Sequence, residues 1–435
     1  MVGISEINGT KYEYEYLLSN STGEISFTDG VILAFDITDN LFNPFLSGYI
    51  TISNPYNVIE STFLLRGDGT DKLKIRFNPK DNKDKKIEQE YIVISESNFI
   101  DDGTPLKNTK TYLLNTVEEG LLTAEFPYNE KYNGYAGDII KSIFTKFKFP
   151  TDNFDPGNFI INEYPEYIIP PNSFRYIDVL YYFLKYYYYQ DGDLAVKGFL
   201  KKDSDGKFRL KILTKDIFNK NEELVYEGFN SGELVSSSVS NPNNPPPVAE
   251  TKPYINNIMS NSLTTPSTEF SNTFFMNTIV SGYDPILGES EMIELRLKDV
   301  RKKWKTKFVD VFKSVGGKVK QHLNLTDLKI KGEFKLTRLP FKTKDSAKII
   351  EANMVNDFTF YNLQLNINVI GDPGRTSGTF IDVFKLKNDK SKSDEKLLGR
   401  WLVTSVRHVK LLNTYRNEIY CVKTYVGPNF DEKDV

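Results

Sequence analysis

Apolar and polar side chains alternate with a period of two over much of the first 125 residues. Val31, Leu33, Phe35 and Ile37 alternate with Ile32, Ala34, Asp36 and Thr38, which predicts a strand buried on one side and partly on the other. Tyr49–Ser53 and Leu73–Phe77 keep the same period. In the second of these Lys74 and Arg76 place cations on one face, which therefore meets water or an acidic partner. Tyr91–Ser95 and Thr111–Val117 complete a small antiparallel sandwich or barrel.

The period then changes. After Asp138, the residues Ile139, Ile140, Ile143, Phe144 and Phe147 fall on one helical face, and Pro150 stops the run. Ser173 suits the N-cap of a longer helix whose stripe is Ile177, Leu180, Tyr181, Leu184 and Tyr188. Asp203-Ser204-Asp205-Gly206 reads as a hairpin turn between Leu194–Leu200 and Phe208–Leu213, and it lacks the further ligands that calcium needs. From Ser236 to Pro253 a serine cluster and five prolines indicate a semi-rigid linker or long surface loop. Leu297, Val300, Trp304, Phe308, Val311 and Val315 then step by three and four, predicting a long amphipathic helix ended by Gly316-Gly317. Strands return from about Lys329: Leu363, Leu365, Ile367 and Val369 alternate, and Phe380–Phe384, Trp401–Val409 and Glu418–Val426 follow.

The two β regions present the same order of events. Gly67-Asp68 precedes the strand Lys72–Phe77 as Gly371-Asp372 precedes Phe380–Lys385. A loop rich in Lys, Asp and Asn follows each, and then a strand pair: Tyr91–Ile100 with Lys110–Val117, and Trp401–Val409 with Glu418–Val426. The match places Tyr91 against Trp401 and Tyr112 against Tyr420, the pattern of one chain carrying two copies of a domain.

Composition narrows the function classes. At 435 residues the chain is too long for one ordinary core. A net charge of −3 gives no global field toward nucleic acid or an anionic membrane. One cysteine, Cys421, excludes a disulfide framework within the chain, and two histidines, His322 and His408, leave little for metal chemistry. The first ten residues lack the basic start and apolar core of a secretory signal, and no stretch approaches the roughly 18 apolar residues of a membrane span.

No catalytic signature emerges. Phosphate-loop, G-x-S-x-G and H-E-x-x-H motifs are missing from the sequence. Gly371-Asp372-Pro373-Gly374-Arg375 has a phosphate-binding look, but its Asp-Pro-Gly core is turn chemistry and it opens no helix. His408 reads as a packed or hydrogen-bonded strand residue rather than a catalytic base. The cations around Trp304, among them Arg301, Lys303 and Lys305, form the solvated face of the long helix or a contact for an acidic partner. The tyrosines Tyr181-Tyr182 and Tyr186–Tyr189 continue a helical stripe, which favours packing over stacking on bases or sugars.

At the C-terminal third, Gly371-Asp372-Pro373, Thr379–Val383, Gly399–Val409 and Glu418–Tyr425 resemble the end of tail-hub proteins. These occur in T-even-type phages, in related contractile injection systems and at the base of type VI secretion spikes. Asp36–Asp39 through Tyr49–Ile52, with the hairpin at Gly67, resembles the first tube domain of that family, and Ser173–Tyr189 its helical region. The span from Ser236 to Leu325 has no counterpart.

The expected fold is therefore multidomain α+β, with two antiparallel barrel or sandwich tube-like domains flanking a mixed helical and β insertion. The boundaries are 1–125, 126–235 (helical or mixed), 236–328 (proline-rich linker and basic helix) and 329–430. The resemblance implies a non-enzymatic baseplate hub without cofactor or metal. In it a homotrimer makes a pseudo-sixfold ring that adapts a sixfold tail tube to a threefold central spike. Wedge proteins and the tape measure are further candidate partners, membrane insertion is not expected, and DNA is met only in passage. The expected location is the virion tail baseplate, assembled in the host bacterial cytoplasm. Candidate ring-interface residues are Tyr91, Val93, Phe380, Val383, Trp401, Val403 and Arg407, and candidate acidic-partner contacts are Arg301, Lys303 and Lys305. The rival readings are a neck, tube-terminator or wedge protein, a cell-wall hydrolase, and a glycan-binding tail-tip module.

Overall fold

Tyr12, Tyr14, Tyr16 and Leu18 are buried while the residues between them are not, so Thr10–Asn20 is an extended strand, β2, with one face in a core. The computed structural model describes residues 3–99 except 8 and 42, then 109–115, 363–384 and 399–423, with short segments between 132 and 338. Around β2 lie β1 (Gly3–Ile7) and β3 (Gly23–Phe27). Next come β4 (Ile32–Asn40), β5 (Asn43–Ser53), a five-residue helix α1 (Val58–Thr62), β6 (Lys72–Pro79), β7 (Ile87–Phe99) and β8 (Thr109–Asn115). The middle of the chain contributes β9 (Tyr132–Gly134), β10 (Glu166–Ile168), β11 (Lys197–Lys202), β12 (Phe208–Leu213) and β13 (Tyr226–Asn230). It continues with β14 (Ile258–Thr264), β15 (Asn277–Asp284), β16 (Glu289–Leu295) and β17 (Phe334–Arg338). The last strands are β18 (Leu363–Ile370), β19 (Phe380–Phe384), β20 (Gly399–Leu411) and β21 (Thr414–Lys423).

The expectation of an α+β fold with a helical insertion is corrected. Strands make up 66% of the described residues, nearly all antiparallel, and α1 is the one α-helix described from end to end. The longer described segments between the two β regions are strands, with β-branched and aromatic residues that suit a pleated surface, and isolated helical residues are described at 142, 143, 145, 146 and 178. The helices expected over Asp138–Phe147, Ser173–Tyr189 and Leu297–Val315 fall, almost throughout, outside the described residues.

Among the described residues fourteen strands form one sheet, ordered β1-β2-β6-β7-β8-β5-β4-β20-β21-β18-β14, with β3 on β2 and with β19 joining β13 to β20. Within it lies a duplicated topology. The spatial order β4-β5-β8-β7-β6 in the first unit is repeated as β14-β18-β21-β20-β19 in the second, in the same chain order and all antiparallel. Most irregularities repeat too, the exception being the shift between Thr38 and Asn40 of β4, which has no counterpart in the described part of β14. One residue bulges from β7 between Val93 and Ser95 and one from β20 between Val403 and Ser405. The edge strands bulge alike, between Ile32 and Ala34 in β4 and between Ile258 and Ser260 in β14. Bulges re-aim a strand and twist it, so their coincidence makes the two units one design rather than two generic meanders.

The registers assign equivalences residue by residue. Tyr91 faces Leu73 as Trp401 faces Ile381, so Tyr91 and Trp401 are counterparts. Tyr112 lies opposite Glu96 and Ile419 opposite Val406, which makes Ile419, not Tyr420, the counterpart of Tyr112. The bulge in β4 also explains why Ile32 is buried together with Phe35 and Ile37: the extra residue resets the two-residue period that Val31 and Leu33 begin. Two of the three cations of β6 find acids on neighbouring strands, Lys74 with Glu15 of β2 at 3.2 Å and Lys72 with Glu90 of β7 at 2.8 Å.

Candidate assembly interface

The two units meet along β4 and β20. Ser405–Leu411 pairs antiparallel with Asn40–Ala34, so β20 is shared: its first residues pair with β19 of its own unit and its last with the other unit. Side chains lock this seam. Asp36 is 4% exposed, and both its oxygens accept from Arg407 Nε at 2.9 Å, with Nη2 of the same guanidinium adding a further short contact. Arg407 Nη1 reaches Glu418 at 2.9 Å. Burying a carboxylate is costly without such a partner, and a planar guanidinium between two acids supplies it. The hydrogen bonds and charge of Asp36, with those of Glu418, hold the guanidinium's pKa above its ordinary value despite partial burial.

Neighbouring contacts extend the seam. Asp39 accepts from the Ser377 amide and hydroxyl, each at 2.8 Å, and its carbonyl accepts from the Ser405 hydroxyl at 3.1 Å. Lys85 of the first unit pairs with Asp372 of the second. Burial raises the Asp372 pKa, but hydrogen bonding to Lys85 and the charge of Arg375 hold it below the usual carboxylate range. Lys410, almost wholly buried, reaches Asp29 at 3.2 Å. Tyr415 at the tip of β21 enters the first unit's core, with its ring 5.1 Å from Phe77 and 5.9 Å from Tyr12.

Beneath the seam lies a polar network whose proton positions follow from its donors. Asn417 Oδ1 accepts from the Asp372 amide and from Arg375 Nη1, both at 2.7 Å. That orientation leaves Asn417 Nδ2 to donate to His408 Nδ1 at 2.9 Å. Nδ1 is then an acceptor, and Nε2–H donates to the Arg375 carbonyl at 3.1 Å. The Tyr415 hydroxyl lies 2.7 Å from the same Nδ1. Burial pushes the His408 pKa down to about 4, against the pull of Asp39. His408 is thus a neutral structural link, and the Gly371–Arg375 loop is a turn whose Asp372 side chain accepts from the Gly374 amide at 2.9 Å.

The structure places the candidate ring residues unevenly. Tyr91, Val93, Phe380, Trp401 and Val403 are buried inside the chain's own sheet, and Val383 lies in β19 opposite Gly399. Arg407 stands at the seam between the units. Arg301, Lys303 and Lys305 lie outside the described residues. Sequence reasoning missed Asp36, Asp39 and Ser377, whose partners are more than 330 positions away and leave no local signal. Among the described residues no group of acids, histidines or cysteines is arranged to hold a metal, and no helix is long and apolar enough to cross a membrane.

No protein-family model matches the sequence, and no curated protein matches it closely. Solved structures do resemble the fold. A tail protein from Neisseria meningitidis aligns over 94% of this chain and 96% of its own, at a TM-score of 0.51 and 10% identity. A 43 kDa tail protein of prophage MuSo2 from Shewanella oneidensis aligns over 95% and 98%, at 0.49 and 10%. The c3393 protein of E. coli, a type VI secretion component, aligns over 92% and 74%, at 0.39 and 9%. The fold of this chain is similar to that of the Neisseria tail protein.

Proposed function

We propose that the chain is the structural hub of a phage tail baseplate, a homotrimer whose six five-strand units form a pseudo-sixfold ring. The observation that carries this reading is the duplicated topology, with its repeated bulges, joined within one chain through β4 and β20. Two like units per subunit let three subunits present six near-equivalent positions to a sixfold tail tube, while the assembly keeps threefold symmetry for a central spike. Residues 1–125 supply one tube module. The 329–430 region supplies the other, which takes its edge strand β14 from earlier in the chain.

In this reading Tyr91, Val93, Phe380, Trp401 and Val403 shape the sheets that build the ring, and Val383 lies in the same strand as Phe380. Arg407 fixes the angle between modules within a subunit. The work is done by interfaces in a virion tail assembled in the host cytoplasm, without a reaction. Arg301, Lys303 and Lys305 offer a basic surface to an acidic baseplate partner. A single β unit would favour a neck or terminator protein, and the duplication favours the hub. The test is the mass of the purified protein by light scattering, with rings imaged by electron microscopy. A trimer with six similar lobes is expected, and a monomer at every concentration overturns the reading.

A further inference from the structure

The two units differ at one place where their topology says they should match. In the second unit, β20 beyond its bulge is covered by β4, and Ser405 and Val406 are buried. The counterpart stretch of the first unit is Ser95–Phe99 of β7. It pairs with β8 along one edge, and its other edge has no strand partner among the described residues, because β6 stops at the register of Ile92. There Ser95, Glu96 and Ser97 are exposed, as is Ile94 in the bulge. The edge strands show the same contrast. β4 carries buried Asp36, whereas Ser262 at the counterpart position in β14 is exposed, and among the described residues β14 ends the sheet with only β18 beside it.

We infer that Ser95–Phe99 of one subunit pairs antiparallel with β14 of a second copy of this chain, repeating between subunits the junction that β20 and β4 make within one. The register is set by equivalence. Arg407 faces Thr38, His408 faces Ile37 and Val409 faces Asp36. Carried through the matched bulges, these become Ser97 opposite Thr264, Asn98 opposite Leu263 and Phe99 opposite Ser262. Each unit offers one edge of the β4 kind and one of the β7 kind, and among the described residues only one of each is used inside the chain, which makes a second copy the matching occupant. Head-to-tail contacts of this type close into rings, and strand addition satisfies both open edges at once. The intersubunit seam lacks a counterpart of the Arg407–Asp36 pair, since Ser97 and Ser262 stand there. It is therefore the weaker and more reversible of the two junctions. This inference rests on the ring proposed above and adds its strand register.

The test is a double variant, Ser97→Cys with Thr264→Cys, in the full chain, treated with a short bis-maleimide. Cys421 is buried, and each single variant serves as its control. Covalent dimers and trimers on a denaturing gel, absent from both single variants, are expected. A trimer by light scattering that does not cross-link overturns the strand junction and leaves the ring standing. A monomer at every concentration overturns both, and a cross-link confined to single chains overturns the junction. Hydrogen exchange on the unaltered protein gives a second reading independent of the variants. Amides of Ser95–Phe99 and Ile258–Thr264 should gain roughly tenfold protection or more in the oligomer. Equal exchange in dilute and concentrated samples overturns the junction.

Discussion

The amide of Val93 donates to the carbonyl of Asp71 at 3.0 Å, and Val403 repeats the bond in the second unit by donating to Thr379 at 2.8 Å. Each bond closes the strand pair immediately before its bulge, so the same hinge is built twice from different side chains. What is duplicated is a backbone plan, and the residues that support it define where it is vulnerable.

Tyr91 is wholly buried, and its hydroxyl makes no hydrogen bond among the described residues. Tyr91→Ala leaves a cavity and should cost about 3–5 kcal/mol. Tyr91→Phe removes an unsatisfied hydroxyl and should be neutral or stabilising by up to about 1 kcal/mol. Urea denaturation of the two variants checks both values, and a large loss in Tyr91→Phe contradicts the assignment.

Arg407→Met strips the guanidinium from Asp36. Because Arg407 is partly exposed, the loss should be about 1–3 kcal/mol rather than that of a fully buried pair. Adding Asp36→Asn to Arg407→Met should recover part of that loss, since no buried charge then lacks its partner. A double-mutant cycle in urea measures the coupling.

His408 predicts an acid-limb pH dependence. Its folded pKa of about 4 lies below the 6.5 of a free imidazole, so between those values the unfolded chain binds a proton that the folded one excludes. Stability should rise with pH from about 4 to about 6.5 and level off above it, with a contribution on the order of 3 kcal/mol. Thermal melts at a series of pH values should show this limb flattened in His408→Gln.

A Cβ at Gly48 of β5 would stand 2.0 Å from the Asp36 carbonyl oxygen of β4. The obstacle is backbone of a paired strand, so it cannot rotate away. Gly48→Ala should cost about 1–3 kcal/mol and loosen the seam edge of β4. Circular-dichroism melts measure the loss, and an unchanged midpoint contradicts the close approach.

Much of the strand content was legible in the sequence, because a two-residue period with one buried face marks strands such as β6, β18 and β20 directly. So was the repeat, since Tyr91 and Trp401 align by spacing from their preceding loops. The start of the chain was not read as individual strands, although Tyr12, Tyr14 and Tyr16 carry the same alternation as β6. Tyr112 was matched one residue away from its counterpart because a bulge changes register without changing composition. The seam was invisible for a different reason. Asp36 reads as an exposed polar position in an alternating strand, and nothing local reveals that a second strand will cover it.

The sharing of β20 also has a consequence for how the chain is made. Arg407 leaves the ribosome 371 residues after Asp36, its partner across the seam. At a synthesis rate of roughly 5–20 residues per second that gap lasts roughly 20 to 75 s. Throughout it the nascent first unit exposes the backbone of β4 to any other extended polypeptide nearby. Sluggish or rare-codon-rich translation of the middle of the gene should therefore lower soluble yield more than it slows synthesis.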